Sequence, residues 1–276
     1  EIGDISLITK ELSYKRKLII LGGGFIGLEV ASVARNLGVD VTILESQERI
    51  LKRTSAEIVA NHIKSIHLLN GVSIKENTSI KKILKTRENS FNILTNKNEL
   101  IYADFIIAGI GAQPNTEIAC NAGLLIDNGI VVDETCRTSD PNIFAAGDCV
   151  SFPFNKDLIR LENVGNAIEQ SEAASENVLG KDIKYQPVPW FWSDQFDIKL
   201  QIAGLNKGFT KVFHRQSDQK NSFWYYKDDQ LISVEAINDP KSYMVGKKLL
   251  EMKKTPSPKD IVSNKINLKD MLREIK

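Results

Sequence analysis

Lys17-Leu-Ile-Ile-Leu21 is a short apolar run that stops on glycine. Gly22-x-Gly24-x-x-Gly27 follows, and then an apolar helical pattern over Ile26, Val30, Val33, Ala34 and Leu37. That order constrains the fold more than any other feature of the chain. The run reads as a buried parallel strand, and the glycines permit a tight turn with close helix–strand packing. Gly38 ends the helix as a C′ residue, and Val39 to Leu44 is the second strand. Glu45 closes that strand, 18 positions after Gly27. Glycine loop, helix N-terminus and acid together read as a dinucleotide-binding βαβ unit. The loop and helix start offer backbone N–H groups to a pyrophosphate. A carboxylate at Glu45 accepts from the adenosine ribose hydroxyls of NAD and repels the extra phosphate of NADP. The alternative for Glu29, near the helix start, is a solvated acid favoured by the helix dipole.

Around this unit the pattern continues. Thr54 and Glu57 have capping-box spacing and predict a helix to Asn70-Gly71. On it, His62 and His67 read as solvated and match no metal pattern. Strands are expected at Val72–Lys75, Ile80–Lys85, Phe91–Thr95, Leu100–Tyr102 and Phe105–Ala108, with turns around Glu88-Asn89 and 96–98. Gly129–Val132 and Ile143–Ala146 also read as strands, and Val164–Val178 as a helix. Pro187 and Pro189 mark a junction. Beyond it, strands at Ile198–Ala203, Ser222–Tyr226 and Leu231–Ile237 precede helices at Tyr243–Met252 and Leu268–Ile275.

With 276 residues the chain has room for about two domains at roughly 100–200 residues each. Its net charge of +1 gives no global pull toward nucleic acid or membrane. No apolar run is long enough for a spanning helix, and no signal peptide is visible. Cys120, Cys136 and Cys149 form no C-x-x-C, so neither zinc nor a local redox disulfide is signalled. A cytoplasmic location is the expectation. Between Lys241 and Lys276, however, ten Lys or Arg stand against four acids. Met244, Leu249, Leu250 and Leu268 in that segment are expected to pack inward, leaving a solvated basic face or a docking surface.

Several segments carry a family resemblance. Leu21-Gly-Gly-Gly-Phe-Ile-Gly-Leu-Glu-Val30 with Val41-Thr-Ile-Leu-Glu45 resembles the NAD domain of the two-dinucleotide-domain flavoprotein reductases. Gly109-Ile-Gly-Ala-Gln-Pro-Asn115 is similar to the loop after the last strand of that domain. Thr138-Ser-Asp-Pro-Asn-Ile-Phe-Ala-Ala-Gly-Asp148 is similar to their second FAD signature. Arg160–Val164, Pro189-Trp-Phe-Trp-Ser-Asp-Gln195 and Leu231–Pro240 narrow the resemblance to ferredoxin reductases that serve monooxygenases and dioxygenases.

The resemblance implies an α/β fold: a Rossmann-like NAD domain inserted in an FAD domain, then an α+β C-terminal reductase domain. The implied spans are 1–114 for NAD(H), 115–186 for the second half of the FAD domain, and 187–276 for the reductase domain. It implies NAD contacts at Gly22, Gly24, Phe25, Ile26, Gly27, Glu29, Glu45, Arg53 and Gly111. It places FAD contacts at Asp148, which receives the ribityl chain, and at Val164 and Trp192 beside the flavin ring. A surface arginine is the alternative for Arg53, and core packing for Trp192. No catalytic side chain and no metal are implied. The expected reaction takes hydride from NADH to FAD and passes electrons to a two-iron ferredoxin. The family carries a first FAD-binding glycine motif ahead of the NAD unit, whereas this sequence has one such motif, so the expectation is a fragment lacking the N-terminal FAD-binding segment. The alternatives are a truncated, inactive NAD-binding module and a flavin-dependent disulfide reductase.

Overall fold

The computed structural model describes residues 2–13, 15–86, 89–263 and 268–274. Glu88 of the expected turn, and Lys265, Ile275 and Lys276 of the basic segment, lie outside them. The chain divides into two units. The first comprises residues 1–111 and the tip segment Ser193–Lys199; the second comprises Ala112–Trp192 and Leu200–Lys276.

In the first unit, α1 (Ile2–Glu11) precedes β1 (Lys17–Leu21), α2 (Phe25–Asn36), β2 (Asp40–Leu44), α3 (Glu57–Leu69) and β3 (Ser73–Lys75). Then come β4 (Ile80–Lys85), β5 (Phe91–Thr95), β6 (Leu100–Ala103) and β7 (Phe105–Ala108). The strands β3-β2-β1-β7 form one parallel sheet in that order. Leu18, Ile19 and Ile20 are buried because β1 has a neighbour on each side and is covered. The strands β4, β5 and β6 form a separate antiparallel sheet. Ile93 and Ala103 from it pack with Ile19 and Leu44 in one apolar cluster.

Three details differ from the sequence reading. The expected apolar face of α2 holds at Ala34 but is otherwise out of phase. Ile26 (68 % exposed), Val33 and Leu37 face outward, while Gly27, Leu28, Ala31 and Ala34 are buried. Gly27, Ala31 and Ala34 let the helix approach closely, and Leu28 fills the space beside them. Thr54 does not cap α3. Leu51 carbonyl accepts from Thr54 N and Ser55 N, closing a turn, and the helix starts beyond it with Ala56 as N-cap. His67 is not solvated. It is fully buried, and its Nε2 lies 2.8 Å from Gln195 Oε1. Its ring meets Phe196 edge-on at 5.0 Å.

The second unit holds α4 (Glu117–Asn121), β8 (Ile130–Val131), β9 (Val150–Phe154), β10 (Asp157–Arg160) and α5 (Val164–Val178). The strands β10-β9-β8 form a small sheet. Val150, Phe152, Ala173, Ala174 and Tyr185 belong to its core. The expected strand at Ile143–Ala146 is only an isolated bridge, Phe144 with Arg137. There the Arg137 guanidinium lies over the Phe144 ring, 4.7 Å from its centroid.

A five-stranded sheet follows, in the order β11 (Trp190–Gln195), β12 (Ile198–Gly204), β15 (Gln230–Ile237), β14 (Lys220–Lys227), β13 (Lys211–Ser217). Trp224, Tyr225 and Tyr226 on β14 are buried on both faces. Helices α6 (Pro240–Glu251), α7 (Pro258–Ser263) and α8 (Leu268–Glu274) complete the unit. Leu249, Ile261, Leu268 and Met271 from them pack with Trp224 and Val234. Met244, expected inside, is exposed, because Tyr243, Val245 and Leu249 form the inward face of α6.

Burial, opposed by the Gln195 hydrogen bond, lowers the pKa of His67. The fold therefore requires the neutral ring. Its contribution is complete above the unfolded value near 6.5 and is lost as pH falls below it, by no more than about 1.4 kcal/mol at pH 5.5. Urea unfolding at pH 7.5 and 5.5 tests this. His67→Gln is expected to lose less stability across that interval than the parent, and an equal loss contradicts it.

Candidate functional site

The parallel sheet places the carboxyl ends of β2, β1 and β7 side by side, with β1 joined onward to α2. In open α/β sheets a ligand crevice forms where strand order reverses, at the carboxyl edge. Here β1 is the reversal point, since β2 lies on one side and β7 on the other. Gly22 N donates to Leu44 O at 2.9 Å and Gly109 N to Leu21 O at 2.8 Å, so the loops leaving the three strands are stitched together.

The loop geometry explains its glycines. A Cβ at Gly27 would sit 2.1 Å from Gly22 O, so the helix can start this close to the strand only without a side chain there. At Gly24, the N-cap of α2, a Cβ would meet nothing within 4 Å. No side chain caps this helix start. The open space therefore faces the positive end of the helix dipole, which suits an anion. Phe25 is half-buried and Ile26 exposed on the same edge.

Glu45 sits where expected, but its carboxylate has further partners. Oε2 accepts from Gly23 N at 2.7 Å, and Oε1 accepts from Gln47 N at 2.7 Å and from Ser46 Oγ at 3.4 Å. The acid thus braces the glycine loop from the end of β2. A carboxylate has about four acceptor positions, so capacity remains for a hydroxyl donor. The sequence showed the acid and its spacing; the Gly23 bond depends on the loop's fold.

Glu29 lies in the second turn of α2, and its Oε1 accepts from Ser193 Oγ at 2.5 Å. Ser193 was not singled out in the sequence. Its one sequence signal is alternation with Gln195 along a strand. Arg53 is exposed beyond Leu51. Gly111 has φ +114 in the exposed loop after β7.

In the second unit the three residues expected at FAD are linked through the start of α5. Asn163 caps that helix through Asn166 N, and its own N–H is bonded to the Asp148 carboxylate. Partial burial first, and the Glu162 charge second, push the Asp148 carboxyl above the usual range, against Arg160 and the Asn163 N–H. Val164, the first residue of α5, is exposed. Gly165 leaves room for Trp190, whose ring atoms would lie 2.5 Å from a Cβ there. Trp190 stacks on Trp192 with centroids 5.6 Å apart, and Trp192 remains 38 % exposed.

These residues fit a flavin. Arg160 Nε and Gln170 Nε2 are buried donors with no hydrogen-bond partner among the described residues. Gln170 Oε1 accepts from Gly147 N, and Arg160 Nη1 donates to Asp148 O, so both unspent donors flank the Gly147–Asp148 turn. A concavity of about 750 Å³ lies elsewhere in this unit, lined in part by Glu169, Glu172, Glu176, Lys184 and Tyr185, and contains none of the expected site residues.

Residues 3–176 match the family model described as pyridine nucleotide-disulphide oxidoreductase, and residues 190–272 match the model described as reductase C-terminal. Rhodocoxin reductase of Rhodococcus erythropolis is 36 % identical over 271 residues, 97 % of this chain and 64 % of its own length. Putidaredoxin reductase CamA of Pseudomonas putida is 33 % identical over 279 residues, 99 % of this chain and 66 % of its own length. The chain thus spans just under two thirds of these relatives. Among solved structures, the covalent putidaredoxin reductase–putidaredoxin complex matches with TM-score 0.95 and 32 % identity, over 100 % of this chain and 67 % of that one. The ferredoxin reductase for the CYP199A2 system of Rhodopseudomonas palustris matches with TM-score 0.94 and 31 % identity, over 98 % of this chain and 68 % of that one. With its parallel sheet, braced glycine loop and antiparallel C-terminal sheet, the chain belongs to the pyridine nucleotide-disulphide oxidoreductase family.

Proposed function

We propose that this chain is the NADH-binding and reductase-domain portion of an FAD-dependent NADH:ferredoxin oxidoreductase. The observation that carries the reading is the open, uncapped start of α2 beside the buried carboxylate of Glu45. In this reading residues 1–114 bind the nucleotide, 115–186 form the second half of the flavin domain, and 187–276 form the reductase domain.

Gly22, Gly24, Phe25, Ile26 and Gly27 form the loop and helix start that receive the pyrophosphate. Glu45 accepts from the adenosine ribose, Arg53 lies toward the adenosine, and Gly111 lets the loop after β7 approach the nucleotide. Glu29 faces the nicotinamide. Asp148 accepts from the ribityl hydroxyls, while the start of α5 at Val164 and the Trp192 ring border the flavin. When bound, FAD accepts a hydride and returns electrons singly. The protein's part is to align the nucleotide and exclude water. An acidic two-iron ferredoxin is the proposed partner, steered by basic residues on α6 and after it. A cytoplasmic location accords with three free cysteines, and no helix among the described residues is long and apolar enough to cross a membrane. For a disulfide reductase these cysteines supply no reactive pair. Burial first, and Asp133 second, push the Cys136 thiol up to about 11.

Two outcomes test the proposal. Titration with both reduced nucleotides is expected to give tighter binding of NADH. Glu45→Gln keeps an acceptor for Gly23 N while removing the charge, so it is expected to narrow the NADH/NADPH difference by roughly tenfold, about 1.4 kcal/mol. Equal binding by the parent contradicts the reading. In protein that has taken up FAD, NADH is expected to bleach the flavin absorption and oxidised two-iron ferredoxin to restore it. A bound flavin that NADH leaves oxidised overturns the oxidoreductase assignment.

A further inference from the structure

Ser193 and Gln195 are two apart on β11, so both side chains leave the strand on one face. Both are buried, as is His67 on α3. Gln195 Nε2 donates to Ser193 Oγ at 2.9 Å. Ser193 Oγ donates in turn to Glu29 Oε1 at 2.5 Å. On the other side of Gln195, Oε1 lies 2.8 Å from His67 Nε2. An amide oxygen only accepts, so His67 is the donor and its Nε2–H tautomer is fixed.

The chain of bonds therefore has one direction. Each donor points from His67 through Gln195 and Ser193 toward Glu29. A hydroxyl has a single proton, and because Ser193 accepts from Gln195, that proton is directed to the carboxylate. Successive bonds in a dry interior polarise one another in the same sense. The tip that carries this chain is itself fastened. Phe196 N donates to Ser32 Oγ at 2.6 Å, and the Phe196 ring meets His67. Phe196 holds φ +53, a conformation that a bulky side chain keeps only where its surroundings impose it.

We propose that Ser193, Gln195 and His67 are positioning residues of the nicotinamide site. They fix the Glu29 side chain so that its carboxylate accepts from the carboxamide N–H₂ of the nucleotide. The inference rests on the reading of Glu29 as facing the nicotinamide. A glutamate near a helix start would otherwise have to be ordered when the nucleotide arrives, and ordering it beforehand removes that cost from binding. Sequence distance hid the arrangement: Ser193 is 164 positions from Glu29, and Gln195 is 128 from His67.

The test compares NADH with ADP-ribose, which lacks the nicotinamide, by calorimetric titration of the full chain. Ser193→Ala is expected to weaken NADH by about tenfold and leave ADP-ribose within about twofold. Gln195→Met is expected to shift the same ratio by about threefold, and Ser193→Thr, which keeps the hydroxyl, to retain the parent ratio within about twofold. A merely structural role moves both ligands together, so equal weakening, or none, with Ser193→Ala overturns the inference. Should Ser193→Ala not fold, Gln195→Met decides the matter by the same ratio. Glu29→Ala separates the two levels. If it shifts the ratio while the Ser193 and Gln195 variants do not, the positioning inference alone falls. If it leaves the ratio unchanged, the reading of Glu29 and the inference fall together.

Discussion

The bond from Gly23 N to the Glu45 carboxylate fixes the loop on which the nucleotide site depends. Gly23 is buried, so its N–H has no access to water and needs an acceptor. An unpaired buried donor costs about 1–3 kcal/mol, and a bond to a charged acceptor is stronger than a neutral one. Glu45 supplies that acceptor from the end of the neighbouring strand. The loop is thereby held open at Gly24 and closed at Gly27. One carboxylate thus links a requirement of the fold to the proposed preference for one nucleotide.

Position along the sheet makes this possible. β2 and β7 flank β1 in parallel, so three strand ends converge where α2 begins. The helix then approaches on a face of Gly27, Ala31 and Ala34, with Leu28 buried beside them. Close approach keeps the helix N-terminus at the crevice, and it turns Ile26, Val33 and Leu37 outward. The same economy of space recurs at the start of α5, where Gly165 admits the Trp190 ring that supports Trp192.

The buried polar groups divide into two kinds. Cys136 and Tyr226 are raised by burial and act as packed core groups, Tyr226 also donating to Pro256 O. His67, Gln195 and Ser193 instead form a chain that ends on a half-exposed acid. A residue type alone does not separate these cases. His67 on an amphipathic helix looks solvated in the sequence, because its partner lies on a strand far along the chain. Thr54 shows the converse: capping-box spacing was present, but the turn at Leu51 placed the threonine ahead of the helix.

Local chemistry determined a large part of this protein. Glycines that permit a tight turn, an apolar run of strand length and an acid at fixed spacing need no distant partner to be read. Those signals placed β1, α2, β2 and Glu45, and the A-G-D turn at Asp148 followed from its resemblance. Tertiary structure decided which face of α2 is buried, that Ile143–Ala146 is no strand, and that a hairpin tip supplies Ser193 and Gln195 to Glu29 and His67. These depend on how closely elements approach and on which distant donors meet which acceptors. Neither quantity is carried by a periodicity or a spacing, because both arise only once the chain has folded back on itself.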